Sequence, residues 1–304
     1  MRKKTKLLLT IFIVLMLVGA LCAIAFLRAS TANSEPRRLN LPDGTTYEAL
    51  CDSLQASSTF RLMAQTLGLD EHVRPGSYLI EPHMNELSLV RKLRNGQQDP
   101  IRLTIGKFRT PKQLNEYLNN KLMHNNFDIP LDSFYLIRPN TYEFYWTVTP
   151  RQFMQRMEKE YGKKNLEKEV IILASIVEEE TNNNAEKPLI ASVYLNRLKR
   201  GMPLQADPTV KYAVGDFSLR RILNKHLVAD SPFNTYLHTG LPPAPICLPS
   251  EASVNAVIKA PETQYLYFCA SEKMDGTHRF AATLAEHNRN ASAFHKVLNA
   301  RGIK

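Results

Sequence analysis

The sequence predicts an α+β protein in two folded parts behind a membrane anchor, and three observations lead there. A charge-free apolar stretch over residues 7–27 follows Arg2, Lys3, Lys4 and Lys6. A short β-α-α-β pattern comes next, and helical and strand-like periodicities then alternate along the rest of the 304 residues. The expected order is a tail over 1–6, a transmembrane helix over 7–27, a linker over 28–40, a small module over 41–87 and a larger α+β domain over 88–304.

The stretch LLLTIFIVLMLVGALCAIAFL would span about 31 Å as a helix, roughly one hydrocarbon core. Basic residues ahead of it place the N-terminus in the cytoplasm and the chain after Arg28 on the far side, so a single pass through the inner membrane with a periplasmic folded part is expected. No A-x-A-like site follows closely, which favours an uncleaved anchor over a signal peptide. RASTANSEPRRLN is small, polar and proline-broken, as a tether is. The formal charge of +10 suits an anionic membrane or wall. Lysine and arginine are scattered without aromatic interleaving, so nucleic acid is not expected as a partner.

In LPDGTTYEALCDSL a Pro-Asp-Gly turn leads to Thr45 or Thr46 as N-cap, before Tyr47, Leu50 and Leu54 at helical spacing. STFRLMAQTLGL reads as a second helix and GSYLIEP as a strand. This order, opened by PDG and closed by RPGSYLI, resembles the small LysM-type modules that bind N-acetylglucosamine chains. From Ser88, LVRKLRNG reads as an amphipathic helix stopped at Gly96, and DPIRLTIGKF as a strand that opens the larger domain. Cys247 and Cys269 lie in one region, either as a bridge or as two buried thiols.

Residues 170–177 read VIILASIV, and Glu178, Glu179 and Glu180 follow directly. At about 100° per residue, Leu166, Val170, Leu173 and Val177 share one face of a helix. Glu180 falls near that face, Glu178 falls on the flank of Ile171 and Ala174, and Glu179 lies opposite as the most solvated of the three. Ile172 and Ile176 fill the remaining side, the mark of a helix buried at a domain centre. A carboxyl group in the last turn meets both desolvation and the negative end of the helix dipole, and its pKa should rise as a general acid requires. The bland alternative is three glutamates fraying into the polar turn TNNN. AEKPLIASVYLNRLKRG then predicts a helix with Pro188 in its first turn and Gly201 as its stop, and MPLQADPTV a stiff loop carrying Gln205, Asp207 and Thr209.

The segment LASIVEEETNNNAEKPLIASVYLNRLKRGMPLQADPTVKYAVG resembles the signature of the endolytic murein transglycosylases, the YceG-like membrane-anchored lytic transglycosylases. SPFNTYLHTGLPPAPI, YLYFCA and GTHRFAATLAEHN follow as similar blocks in the same order. The resemblance implies cleavage of the β-1,4 bond between N-acetylmuramic acid and N-acetylglucosamine within glycan strands, without water, leaving 1,6-anhydro ends. It aligns Glu178 with the family's catalytic glutamate and Glu180 with the second glutamate of the motif. It makes Gln205, Asp207, Thr209, Asn234 and Tyr236 the candidates for holding the sugars, with no metal and no cofactor. Implied partners are peptidoglycan glycan strands, the inner membrane and peptidoglycan synthases. Phe233 where tyrosine is common, Ala244 in place of a glycine, and PNTYEF are departures that touch substrate fit. A hydrolase giving reducing ends and a non-catalytic wall-binding scaffold are the rival expectations.

Overall fold

A computed structural model of the chain describes residues 2–162, 166–219 and 221–301. It opens with α1 (Arg2–Arg28), the helix expected from the apolar stretch. The described side chains of α1, residues 8–24 and Arg28, are all exposed. Among the described residues no helix is long and apolar enough to cross a membrane.

The β-α-α-β order follows as β1 (Arg37–Leu41), α2 (Tyr47–Leu54), α3 (Ser58–Thr66) and β2 (Gly76–Ile80). β1 and β2 pair antiparallel with Leu39 opposite Tyr78. Thr46 caps α2 by accepting from the Ala49 amide at 3.2 Å, and Ser57 caps α3 by accepting from Phe60 at 2.9 Å. Next comes α4 (Glu86–Arg94), whose Leu89, Val90 and Leu93 share one core with Leu41, Leu50, Phe60 and Tyr78. This helix therefore belongs to the small module, and the boundary expected at residue 88 falls inside it. Its apolar stripe needs a partner, and the open face of α2, α3 and the β pair supplies one.

The expected free tether over 28–40 is docked instead. The Thr31 amide donates to the Met84 carbonyl at 2.8 Å, Glu86 to Ala29 at 2.9 Å and His83 to Asn33 at 3.0 Å, and Asn33 Nδ2 donates to the Glu81 carbonyl at 3.1 Å. Small polar residues read as flexible here complete backbone hydrogen bonding with residues 81–86. The first compact unit runs to Leu103 and takes in Lys121–His124 and Glu143–Val148.

β3 (Ile101–Ile105), α5 (Pro111–Lys121), a 3₁₀ turn (Leu131–Leu136), β4 (Asn140–Phe144) and α6 (Pro150–Gly162) follow, with β3 and β4 forming a two-stranded sheet. The second unit comprises Thr104–Asn120, Asn125–Tyr142 and the chain from Thr149 onward. It contains α7 (Lys168–Glu180), α8 (Lys187–Lys199), α9 (Asp207–Val214), α10 (Asn224–Leu227), α11 (Glu251–Ile258), the antiparallel pair β5 (Tyr267–Ala270) and β6 (His278–Ala281), and α12 (Leu284–Ala300).

As its all-round apolar pattern requires, α7 sits at the centre, with every residue from Ile171 to Val177 buried. Ile190, Ala191 and Tyr194 of α8 and Val254 and Val257 of α11 belong to the same core. α8 has proline in its first turn, and beyond its end Gly201 adopts φ +64°, a left-handed conformation that suits glycine. Cys247 and Cys269 are both free thiols. The buried Cys247 faces the Ser175 carbonyl at 3.5 Å.

Candidate active site

Successive residues on a helix turn by about 100°, so the three glutamates ending α7 point to three surroundings. Thr181 then leaves the helix with an extended backbone, at φ −149°.

Glu178 is held in a structural knot. Its Oε2 accepts from Lys187 Nζ at 3.1 Å, from the Ser250 hydroxyl at 2.5 Å and from the hydroxyl of Ser253. Lys187 is buried, so the pair is largely screened from water. Burial alone would raise the pKa of Glu178, but the hydrogen bonds from Ser250, Ser253 and Lys187 together outweigh it and hold the pKa below its ordinary value. A carboxylate so held is ionised at neutral pH and has no proton to give.

Glu179, expected to be the most solvated, is paired too. Its oxygens meet Lys107 Nζ at 2.8 Å and Arg109 Nη2 at 3.1 Å. The helical wheel sees only α7, whereas residues 107–109 arrive from far back in the chain.

Glu180 is the carboxyl group that opens onto a cavity. Its Oε1 accepts from the Tyr194 hydroxyl at 2.6 Å, and it shares a space of about 320 Å³ with Arg197, Gln205, Asp207 and Tyr236. Burial raises its pKa from 4.5 to about 7; the Tyr194 hydrogen bond opposes this, and the charge of Asp207 adds to it. The property the sequence led one to expect at the end of α7 is therefore found at Glu180. Both residues lie toward the buried side of the wheel, and only the partners brought by α8 and α11 distinguish them.

The remaining expected residues divide. Gln205 lines the cavity with its backbone at φ 50°, its amide donating to the Thr235 carbonyl at 3.1 Å and its Oε1 accepting from Arg197 at 3.3 Å. A left-handed non-glycine residue pinned at both ends is typical of a functional loop. Asp207 begins α9 and accepts from the Tyr236 hydroxyl at 2.7 Å, so both residues present fixed oxygens to the same space. Burial, then the contact with Asp207, drives the Tyr236 phenol far above its usual pKa.

Thr209 and Asn234 do not line the cavity wall, which corrects their expected role as sugar contacts. Thr209 is fully buried and donates to the Ala206 carbonyl at 2.7 Å. Asn234, also fully buried, donates to the carbonyls of Leu227 and Ala229, both at 2.9 Å, and its Oδ1 accepts from the Tyr236 amide at 3.0 Å. Their side chains saturate loop backbone and so fix the Gln205 and Tyr236 loops from behind.

Among the cavity residues not picked out from the sequence are Tyr194 and Arg197. Tyr194 and Arg197 stand three apart on α8, a spacing that puts them on one helical face and was available as a signal. The Arg197 guanidinium lies 5.2 Å from the Tyr267 ring, its Nε donating to the Leu266 carbonyl at 2.7 Å and its Nη1 to that of Leu204 at 2.9 Å. The site thus offers one carboxyl group poised near neutrality, a second carboxyl group, two phenols and a fixed guanidinium, a set suited to acid–base chemistry on a hydroxyl-rich ligand.

Residues 39–293 match the model of the YceG-like family. Over 191 residues the chain is 36% identical to a Bacillus subtilis protein named endolytic murein transglycosylase, which is 59% of this chain and 52% of that one. A Streptococcus pneumoniae protein of the same name is 35% identical over 128 residues, 41% of this chain and 23% of its own. The chain therefore spans about half, or less, of the curated relatives it matches. A crystal structure of a yceG-like protein from Listeria monocytogenes is similar with a TM-score of 0.50 and 26% identity, covering 84% of this chain and 99% of that one.

Proposed function

Because the chain belongs to the YceG-like family, we propose that it is a peptidoglycan transglycosylase whose general acid and base is Glu180. The observation that carries this reading is the Glu180 carboxyl group at the end of a buried helix, facing a polar cavity and bonded to the Tyr194 hydroxyl, where burial pushes its pKa up to about 7. Protonated Glu180 donates to the glycosidic oxygen as the bond from the muramic C1 breaks and oxocarbenium character develops. The Glu180 carboxylate then takes the proton of the sugar's own C6 hydroxyl as that oxygen closes onto C1. A 1,6-anhydro ring forms, no water enters, and the carboxyl group is restored.

Glu178, the residue expected from the sequence alignment, holds α7, α8 and α11 together in this scheme. Gln205, Asp207 and Tyr236 orient the acetamido sugars. α1 serves as the membrane anchor, with the folded part outside and nascent strands within reach; its support is the exposed, charge-free run of residues 8–24 and the basic residues ahead of it.

The test is mass spectrometry of soluble fragments after incubating un-nicked peptidoglycan with the parent chain, Glu180→Gln and Glu178→Gln. Anhydro-ended products from the parent and from Glu178→Gln, with none from Glu180→Gln, are expected. Products one water heavier would overturn the transglycosylase reading in favour of a hydrolase, and full activity in Glu180→Gln would return the acid to Glu178. Unchanged glycan with all three chains would leave the scaffold as the better reading.

A further inference from the structure

The small unit holds a second cavity of about 360 Å³, walled by Thr31, Arg37, Ser57, Phe60 and Glu86 among others. It lies where β1 begins, β2 ends and α2 passes into α3, so the docked segment after α1 forms part of its wall. Its volume is within the range of small-ligand sites.

Glu86 is the unusual member, a carboxyl group only 6% exposed. One of its oxygens accepts from the Ser57 hydroxyl at 2.8 Å, while the other is buried without a hydrogen-bond partner. Thr31 Oγ1, in the same wall, is also buried and unmatched. Buried acceptors are normally satisfied, and one left open is stabilised by whatever brings a donor. Arg37 lines the cavity too; one of its nitrogens donates to the Ser53 carbonyl at 2.7 Å, and a guanidinium has further N–H groups to offer. A carboxyl acceptor and a guanidinium in one wall, with Phe60 for apolar contact, match an amino-acid group that carries both an ammonium and a carboxylate.

We propose that this cavity binds a primary ammonium group, received by Glu86, on an amino-acid residue whose carboxylate faces Arg37. In a protein acting on peptidoglycan the source is the diamino-acid residue of the stem peptide, an identification that rests on the proposed function; the chemistry of the site does not. Glycan cleaved at one site would then be held through its peptide at another.

The experiment is equilibrium binding to the full chain in detergent, with L-Ala-γ-D-Glu-L-Lys, the same tripeptide acetylated on Nε, and free L-lysine. The tripeptide should bind, and acetylation or Glu86→Gln should each weaken it by about tenfold or more, the range of a lost charge-assisted hydrogen bond. Acetylated peptide binding as tightly as the free amine overturns the proposal on the parent chain, with no variant whose folding is in question, and so does absence of tripeptide binding. Free lysine binding as tightly as the tripeptide overturns the stem as source. Assaying glycan cleavage on the same preparation separates the two readings: cleavage without peptide binding sinks only this inference, and peptide binding without cleavage sinks only the transglycosylase.

Discussion

Glu178 and Glu180 are two residues apart on one helix, yet their pKa values shift in opposite directions: hydrogen bonds from Ser250, Ser253 and Lys187 outweigh burial at the first, whereas burial outweighs the single Tyr194 hydrogen bond at the second. Raising the pKa of Glu180 from 4.5 to about 7 has a consequence for stability. As pH rises through that window the unfolded chain has already released the proton that the folded chain still holds, so folding is progressively disfavoured, and the loss levels off above about pH 7. Glu180→Gln removes the penalty. Thermal unfolding of the variant and the parent should show a larger gain at pH 8 than at pH 5, and an equal gain at both would mean that Glu180 titrates normally. Tyr194 sets the same equilibrium from the other side, since its hydroxyl stabilises the ionised form. Tyr194→Phe should move the alkaline limb of the cleavage-rate profile to higher pH; an unmoved limb would exclude Glu180 as the group being titrated.

At the level of elements, α7, α8 and α11 are joined by one carboxylate. Ser250 is both the N-cap of α11 and a donor to Glu178, so one hydroxyl fixes the start of one helix to the end of another. Ser250→Ala is expected to cost about 1–2 kcal/mol, the loss of a cap and of a charge-assisted hydrogen bond, measurable by denaturant unfolding. A loss under about 0.5 kcal/mol, the scale of a neutral surface change, would mean that the remaining donors compensate. The helices themselves were legible, because Thr46, Pro188 and Gly201 sit where caps and stops belong and VIILASIV, placed on a helix, is apolar on every side as a central helix is. Which glutamate faced what was not legible: a helical wheel gives direction relative to one axis and is blind to Lys107, Lys187 and Ser250, which arrive from other parts of the chain. Thr209 and Asn234 were misread for a related reason, since a polar side chain in a family block serves the loop backbone as readily as a sugar.

For the whole molecule, the proposed anchor makes a prediction about location. A chain beginning at residue 29 should move from the membrane pellet to the soluble fraction, while the full chain resists extraction by high salt and carbonate. A full chain that washes off with salt would mean that basic charge, rather than α1, holds it at the surface.

By itself the sequence determined the α+β class, the β-α-α-β order of the small module, the central apolar helix and the membership of a family, because periodicity, caps and motif blocks are local and survive without coordinates. The tertiary structure decided that α4 closes the small module, that the tether is docked, and that Glu180 rather than Glu178 meets the cavity. Each of those depends on which distant groups share a few ångströms with a given side chain, and both the pKa of a carboxyl group and the partner of an apolar stripe are fixed by such neighbours.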